Sequence, residues 1–95
     1  MEFDKLVHQP TRLQIFAYLY RHGETGFTEL QEELGITEGN LASHLGTMED
    51  SDAVAVEKEF VDRKPKTTYR LTDGGETAFE DHIDRLEALI DGLDE

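Results

Sequence analysis

Two stretches of the chain hold side chains whose types and spacing suit chemistry on a ligand. In the first, Arg63, Lys64, Lys66 and Arg70 put four cations within eight residues of a chain that has only nine Lys and Arg. Such groups neutralise phosphate oxygens, and Arg also enters narrow minor grooves. The plainer reading is a solubilising loop. In the second, Thr37, Glu38, Asn40, Ser43, His44 and Thr47 stand off an apolar face made by Leu41, Leu45 and Met48. Asn pairs with adenine N6 and N7, and hydroxyls reach base edges or phosphates. The plainer reading is a solvated helix face with Thr37 as its cap.

Other chemistries find no support. His8, His22, His44 and His82 include no pair at the i, i+3 or i+4 spacing of a helical metal site, and there is no Cys beside them. A structural or surface role is expected of them, with ligation across a dimer as the alternative. Glu32-Glu33 and Asp81 with Asp84 read as solvated faces, not as a catalytic pair. Gly74-Gly75 opens a helix without the rest of a phosphate loop. No enzyme, cofactor or metal is expected.

The charge balance cuts against nucleic acid when taken whole. Asp and Glu number 22 against nine Lys and Arg, a formal net charge of −13 in 95 residues, whereas a DNA-binding domain is usually basic. The distribution is uneven. Residues 23–52 carry eight acids and no Lys or Arg, and residues 72–95 carry nine acids and Arg85; residues 1–22 and 53–71 are slightly positive. An acidic surface is also a lever of halophilic proteins, because the screening length falls to about 3 Å in molar salt. The alternative is an acidic, soluble domain that never meets DNA.

The elements that must position these residues follow from periodicity. Residues 3–7 form a short amphipathic piece before Pro10, which suits the first turn of a helix. Leu13, Phe16, Ala17 and Tyr20 recur at helical spacing with Ile15 and Leu19 beside them, and Gly23 and Gly26 make the turn that follows. Thr28 to Gln31 fits a capping box with Thr28 as N-cap. Leu30 and Leu34 give a second helix stopped by Gly35, and Thr37 caps a third. Two helices across a Gly-containing turn are a helix-turn-helix pattern. The period then becomes two: residues 54–61 and 67–71 read as strands around a polar turn at 62–66, a hairpin with a basic tip. Thr72 and Asp73 cap a last helix whose Phe79, Ile83, Leu86, Ile90 and Leu93, spaced 4, 3, 4, 3, form a heptad seam.

Several stretches carry a family resemblance. Leu6-Val7-His8-Gln9-Pro10-Thr11-Arg12-Leu13, Phe27-Thr28-Glu29-Leu30, Gly39-Asn40-Leu41-Ala42-Ser43-His44-Leu45, Val56-Glu57-Lys58-Glu59-Phe60 and Thr67-Thr68-Tyr69-Arg70-Leu71-Thr72 span most of the chain. In these the chain resembles a small, archaeal-type branch of the MarR/ArsR-like winged helix transcriptional regulators. The resemblance implies DNA binding by the third helix and the wing, and homodimers made by the terminal helices. Relatives commonly carry a basic residue after the His-Leu pair. Here Gly46-Thr47 stand there, which argues against strong phosphate contacts from the helix-turn-helix itself.

The expectation is thus a mainly α protein with a β-hairpin (α+β), a winged helix-turn-helix with an added C-terminal dimerisation helix. It forms a single domain over 1–95, with the helix-turn-helix at about 27–50, the wing at about 53–71 and the terminal helix at about 72–93. Its function is sequence-specific binding of double-stranded DNA as a homodimeric regulator. Thr37, Asn40, Ser43, His44, Thr47, Arg63, Lys64, Lys66 and Arg70 are the DNA contacts; Phe79, Ile83, Leu86, Ile90 and Leu93 are the dimer contacts. The rival is a winged helix protein–protein module whose acidic surface meets a basic partner. No apolar run approaches the roughly 18–20 residues of a membrane span, and the N-terminus lacks the apolar core of a signal peptide, so the cytoplasm is the expected compartment. With no room for a separate sensing domain, any small-molecule effector would sit at the dimer interface.

Overall fold

The computed structural model describes residues 4–93; Phe3, expected in the opening amphipathic piece, lies outside them. Helix α1 (Lys5–His8) is capped by Asp4, whose side chain accepts from the Leu6 N–H at 2.9 Å. Gln9 then caps α2 (Pro10–His22) by accepting from the Arg12 N–H at 2.8 Å, with Pro10 in the first turn. Ile15, Phe16 and Leu19 are the buried face of α2, which ends at Gly23. Gly23 has φ 77°, a left-handed value that costs Gly nothing.

Gly26 does not continue that turn. Thr25–Gly26 is a short strand, β1, whose residues pair with Tyr69 and Thr68 of the hairpin. The sheet holds Gly26 extended, so α3 (Phe27–Leu34) begins at Phe27 with Gly26 as its N-cap and no side-chain cap. Thr28, expected as the cap, is already inside the first turn. Gly35 closes α3 in the left-handed conformation, and Thr37 caps α4 (Glu38–Asp50) by accepting from the Asn40 N–H at 3.2 Å. Leu41, Leu45 and Met48 of α4 are buried.

The hairpin is tighter than its sequence suggests. Strands β2 (Val54–Val61) and β3 (Lys64–Leu71) pair antiparallel up to Val61 and Lys64, leaving Asp62 and Arg63 as the whole turn. Their φ values, 51° and 65°, are those of a type I′ turn, which matches strand twist. The turn expected at 62–66 is too long because Pro65 does not break the strand. The closing pair of a two-residue hairpin exchanges the hydrogen bonds, so the next pair, Phe60 with Pro65, is a non-hydrogen-bonded one. The missing N–H of Pro65 therefore faces outward, where β1 does not reach. The sheet order is β1-β3-β2.

Thr72 caps the long helix α5 (Asp73–Gly92), its hydroxyl oxygen accepting from the Gly75 N–H at 3.0 Å while its own N–H donates to the Ala53 carbonyl at 3.0 Å. That arrangement brings the first turn of α5 onto the start of β2. A Cβ on Gly75 would lie 2.1 Å from the Ala53 oxygen, whereas one on Gly74 meets only the Thr72 hydroxyl at 3.8 Å. Gly→Ala in a helix ordinarily stabilises by up to about 1 kcal/mol. Gly74→Ala should follow that rule. Gly75→Ala should instead destabilise by about 1–3 kcal/mol, because backbone must move to admit the methyl. Thermal melts of the two variants on opposite sides of wild type are the expected result; equal shifts would show that α5 does not seat on Ala53.

The core gathers Val7, Ile15, Phe16, Leu19, Leu30, Leu41, Leu45, Met48, Ala53, Val54, Leu71 and Phe79 from all the helices and the hairpin. Phe79, expected at a dimer contact, belongs to this core. Its ring lies parallel to Phe16 with centroids 6.2 Å apart and 5.1 Å from Tyr20. Ile83 packs at the edge of the same cluster. Beyond it the second half of α5 extends away from the core, and the molecule as a whole measures 58 × 25 × 20 Å.

Candidate nucleic-acid interface

Helix α4 sorts its polar residues by side. Asn40, Ser43, His44 and Thr47 fall at i, i+3, i+4 and i+7, one strip of the helix. Asn40, Ser43 and Thr47 are exposed and His44 is half-buried. Glu38, Ala42 and Glu49 lie on the opposite flank, and Glu38 and Ala42 line a groove of about 650 Å³ shared with Glu29 of α3 and with Pro65, Lys66 and Tyr69 of the wing. The four strip residues thus carry no formal charge and Glu38 faces the wing groove, while Asp50 follows Thr47 at i+3 on the strip side at the end of the helix. Two hydroxyls are engaged within the helix: Thr37 caps Asn40, and Thr47 donates to the Ser43 carbonyl at 3.2 Å.

His44 has a partner that the sequence does not announce. The Arg12 guanidinium, on α2, donates from Nε to the Leu6 carbonyl at 2.7 Å and from Nη2 to the Lys5 carbonyl at 3.2 Å, and its Nη1 lies 3.2 Å from His44 Nδ1. Burial, and then the Arg12 charge, push the His44 imidazole below its usual pKa, so the ring is neutral at pH 7.

The four candidate cations separate into two groups, and Lys58 of β2, exposed across from Thr67, is a fifth cation of the hairpin. Arg63, Lys64 and Lys66 are exposed at the tip. Arg70 sits four residues beyond Lys66 and six beyond Lys64 along β3, roughly 13–20 Å away at strand rise, and lines a hollow at the hairpin root with Glu24 and Glu57. Glu59, Glu24 and Glu57 crowd one another there, raising the Glu57 pKa, which Arg70 only partly offsets. Arg70 is therefore spatially apart from the tip. Phe60 joins the tip instead: it lies across from Pro65 and is 78% exposed. The alternation of Val54, Val56, Lys58 and Phe60 carries it past the edge of the core, a position that periodicity alone reads as ordinary strand.

Among the described residues, no cluster of three or more His, Cys, Asp or Glu is arranged to hold a metal ion, and no helix is long and apolar enough to cross a membrane. His82 is buried on α5, edge-on to His8 of α1 with centroids 5.3 Å apart; burial first, then His8, lowers its pKa.

Residues 11–90 match the family model of the winged helix DNA-binding domain. The chain belongs to that family. This winged helix protein is 33% identical over 90 residues to an uncharacterised protein of Methanocaldococcus jannaschii, an alignment covering 95% of this chain and 98% of the relative. A transcriptional regulator homologue from Pyrococcus horikoshii superposes with a TM-score of 0.89 at 34% identity, covering 95% of this chain and 89% of that one. A protein of Enterococcus faecalis described as a MarR-family transcriptional regulator superposes with a TM-score of 0.76 at 25% identity, covering 98% and 91%. The fold is the winged helix fold, with the three-stranded sheet forming the wing and α5 appended. The family and these neighbours together support a winged helix transcriptional regulator.

Proposed function

We propose that this winged helix protein is a cytoplasmic, homodimeric regulator that binds double-stranded DNA with α4 in the major groove and the wing on the backbone or minor groove. The observation that carries this reading is the pairing of a neutral hydrogen-bonding strip on α4 with a separate, exposed cationic tip. Neutral polar groups suit base edges, and clustered cations suit phosphates. The apolar end of α5, with Leu89, Ile90 and Leu93 exposed, supplies the dimer. Selection from a random duplex pool at several KCl concentrations tests the reading. Asn40→Ala and Ser43→Ala should each cost roughly 1–3 kcal/mol on the selected site and little on random DNA. No preferred duplex at any salt, together with capture of a basic protein through residues 23–52, would replace it with the protein–protein reading.

The acidity belongs to the same proposal. A net charge of −13 on so small a body repels itself in dilute buffer. Salt screens that repulsion, so the melting temperature should climb steeply from low to molar KCl, as suits a halophilic cell. A flat melting curve across that range removes the halophilic part and leaves the DNA reading untouched.

A further inference from the structure

We propose that Arg12 is a positioning residue for DNA recognition: it fixes His44, on the recognition strip of α4, as a hydrogen-bond donor with no free acceptor. The inference rests on the DNA-binding reading above and deepens it. A guanidinium only donates, so the contact of 3.2 Å between Arg12 Nη1 and His44 Nδ1 requires Nδ1 to accept. The proton of the neutral ring then sits on Nε2, across the ring from Arg12. The guanidinium cannot simply swing away, because Nε and Nη2 are held by the Leu6 and Lys5 carbonyls of α1; four residues on from Leu6 stands Pro10, which has no N–H to offer that carbonyl. Three donors of one plane thus join α1, α2 and α4. Lys has a single ammonium and cannot span the same three acceptors in a plane.

The consequence is a polarity on the strip. Asn40 and Ser43 offer donors and acceptors alike, whereas His44 offers a donor only. It suits an acceptor, whether guanine N7 or O6, adenine N7, thymine O4 or a phosphate oxygen, and mismatches the amino groups of adenine and cytosine. The two acceptor sources differ in what they report. A base edge gives a loss confined to one position of the site, and a phosphate gives a loss spread over all sequences.

The test reads the ring directly and then its effect. Nitrogen-15 NMR of the full chain without DNA should show the His44 ring as Nε2–H at neutral pH, and as a mixture of forms in Arg12→Lys, which keeps the charge. Duplex binding should weaken about two- to tenfold in both His44→Ala and Arg12→Lys, the worth of one hydrogen bond. The double variant should be no weaker than His44→Ala. His44→Gln offers both polarities and should broaden preference at the same position, or leave it flat where the acceptor is a phosphate. An Nδ1–H ring in wild type overturns the proposal, as does a folded Arg12→Lys that binds like wild type, or losses that add in the double variant. If Arg12→Lys does not fold, the wild-type ring and His44→Gln decide. Wild-type protein that binds no duplex overturns the DNA-binding reading, a result the ring measurement does not depend on.

Discussion

Replacing Arg63, Lys64 and Lys66 together with Ala is expected to weaken binding to every duplex and to flatten its salt dependence. Each lost phosphate contact removes about 0.9 from the slope of log affinity against log salt. With contacts worth about 1 kcal/mol each, the triple variant should bind on the order of a hundredfold more weakly at low salt. The effect is large because the tip holds three of the five cations of the hairpin. The chain carries a net charge of −13, α4 has no Lys or Arg, and Arg70 stands beside Glu24 and Glu57 at the hairpin root. Arg63 sharpens the expectation. It holds φ 65° in a turn position where Gly is the unstrained choice, and an L-residue there costs about 1 kcal/mol. Arg63→Gly should therefore melt at a higher temperature than wild type while binding DNA less tightly. An Arg63→Gly protein that binds as tightly as wild type would remove the wing tip from the interface.

The main elements are legible in the chain because each imposes its own period. The i, i+4, i+7 spacing of Leu41, Leu45 and Met48 announces α4, and alternation announces β2. What fails is whatever depends on a distant partner or on too few residues. Strand β1 has two residues, too short for any period, and exists because β3 pairs with it. The helix start at Phe27 follows from that pairing and not from the capping box around Thr28. Pro65 reads as a turn residue, yet its register opposite Phe60 leaves its ring in a position that needs no N–H.

The site divides in the same way. Asn40, Ser43, His44 and Thr47 are local neighbours on one helix, so their common strip is visible in sequence. Arg12 and His44 are 32 positions apart and meet only because α2 packs on α4. Arg63 and Arg70 are close in sequence and far apart in space, since an extended strand separates what a loop would gather. The heptad spacing in α5 does not mark one surface: its first members, Phe79 and Ile83, cover the domain's own core, while Ile90 and Leu93 lie exposed beyond it.

The second large effect follows from that division. Leu86, Leu89, Ile90 and Leu93 stand at i, i+3, i+4 and i+7, one apolar stripe on the half of α5 beyond the core. Leu86 is half-buried, while Leu89, Ile90 and Leu93 are 50%, 60% and 77% exposed. The heptad's 4, 3 spacing skips Leu89, which stands on the neighbouring row. Full burial of such side chains is worth about 1.5–3 kcal/mol each, and a two-fold axis would bury the stripe on both copies at once. Leu86→Glu with Ile90→Glu would bring four carboxylates together at that seam, where they lack partners. The double variant should sediment as a monomer. It should also keep its helical circular dichroism, because Phe79 and His82 still anchor the first half of α5 in the body. A monomer meets one half-site where the dimer meets two, so its affinity for the selected duplex should fall with its assembly. A folded double variant that still sediments as a dimer would move the interface away from α5.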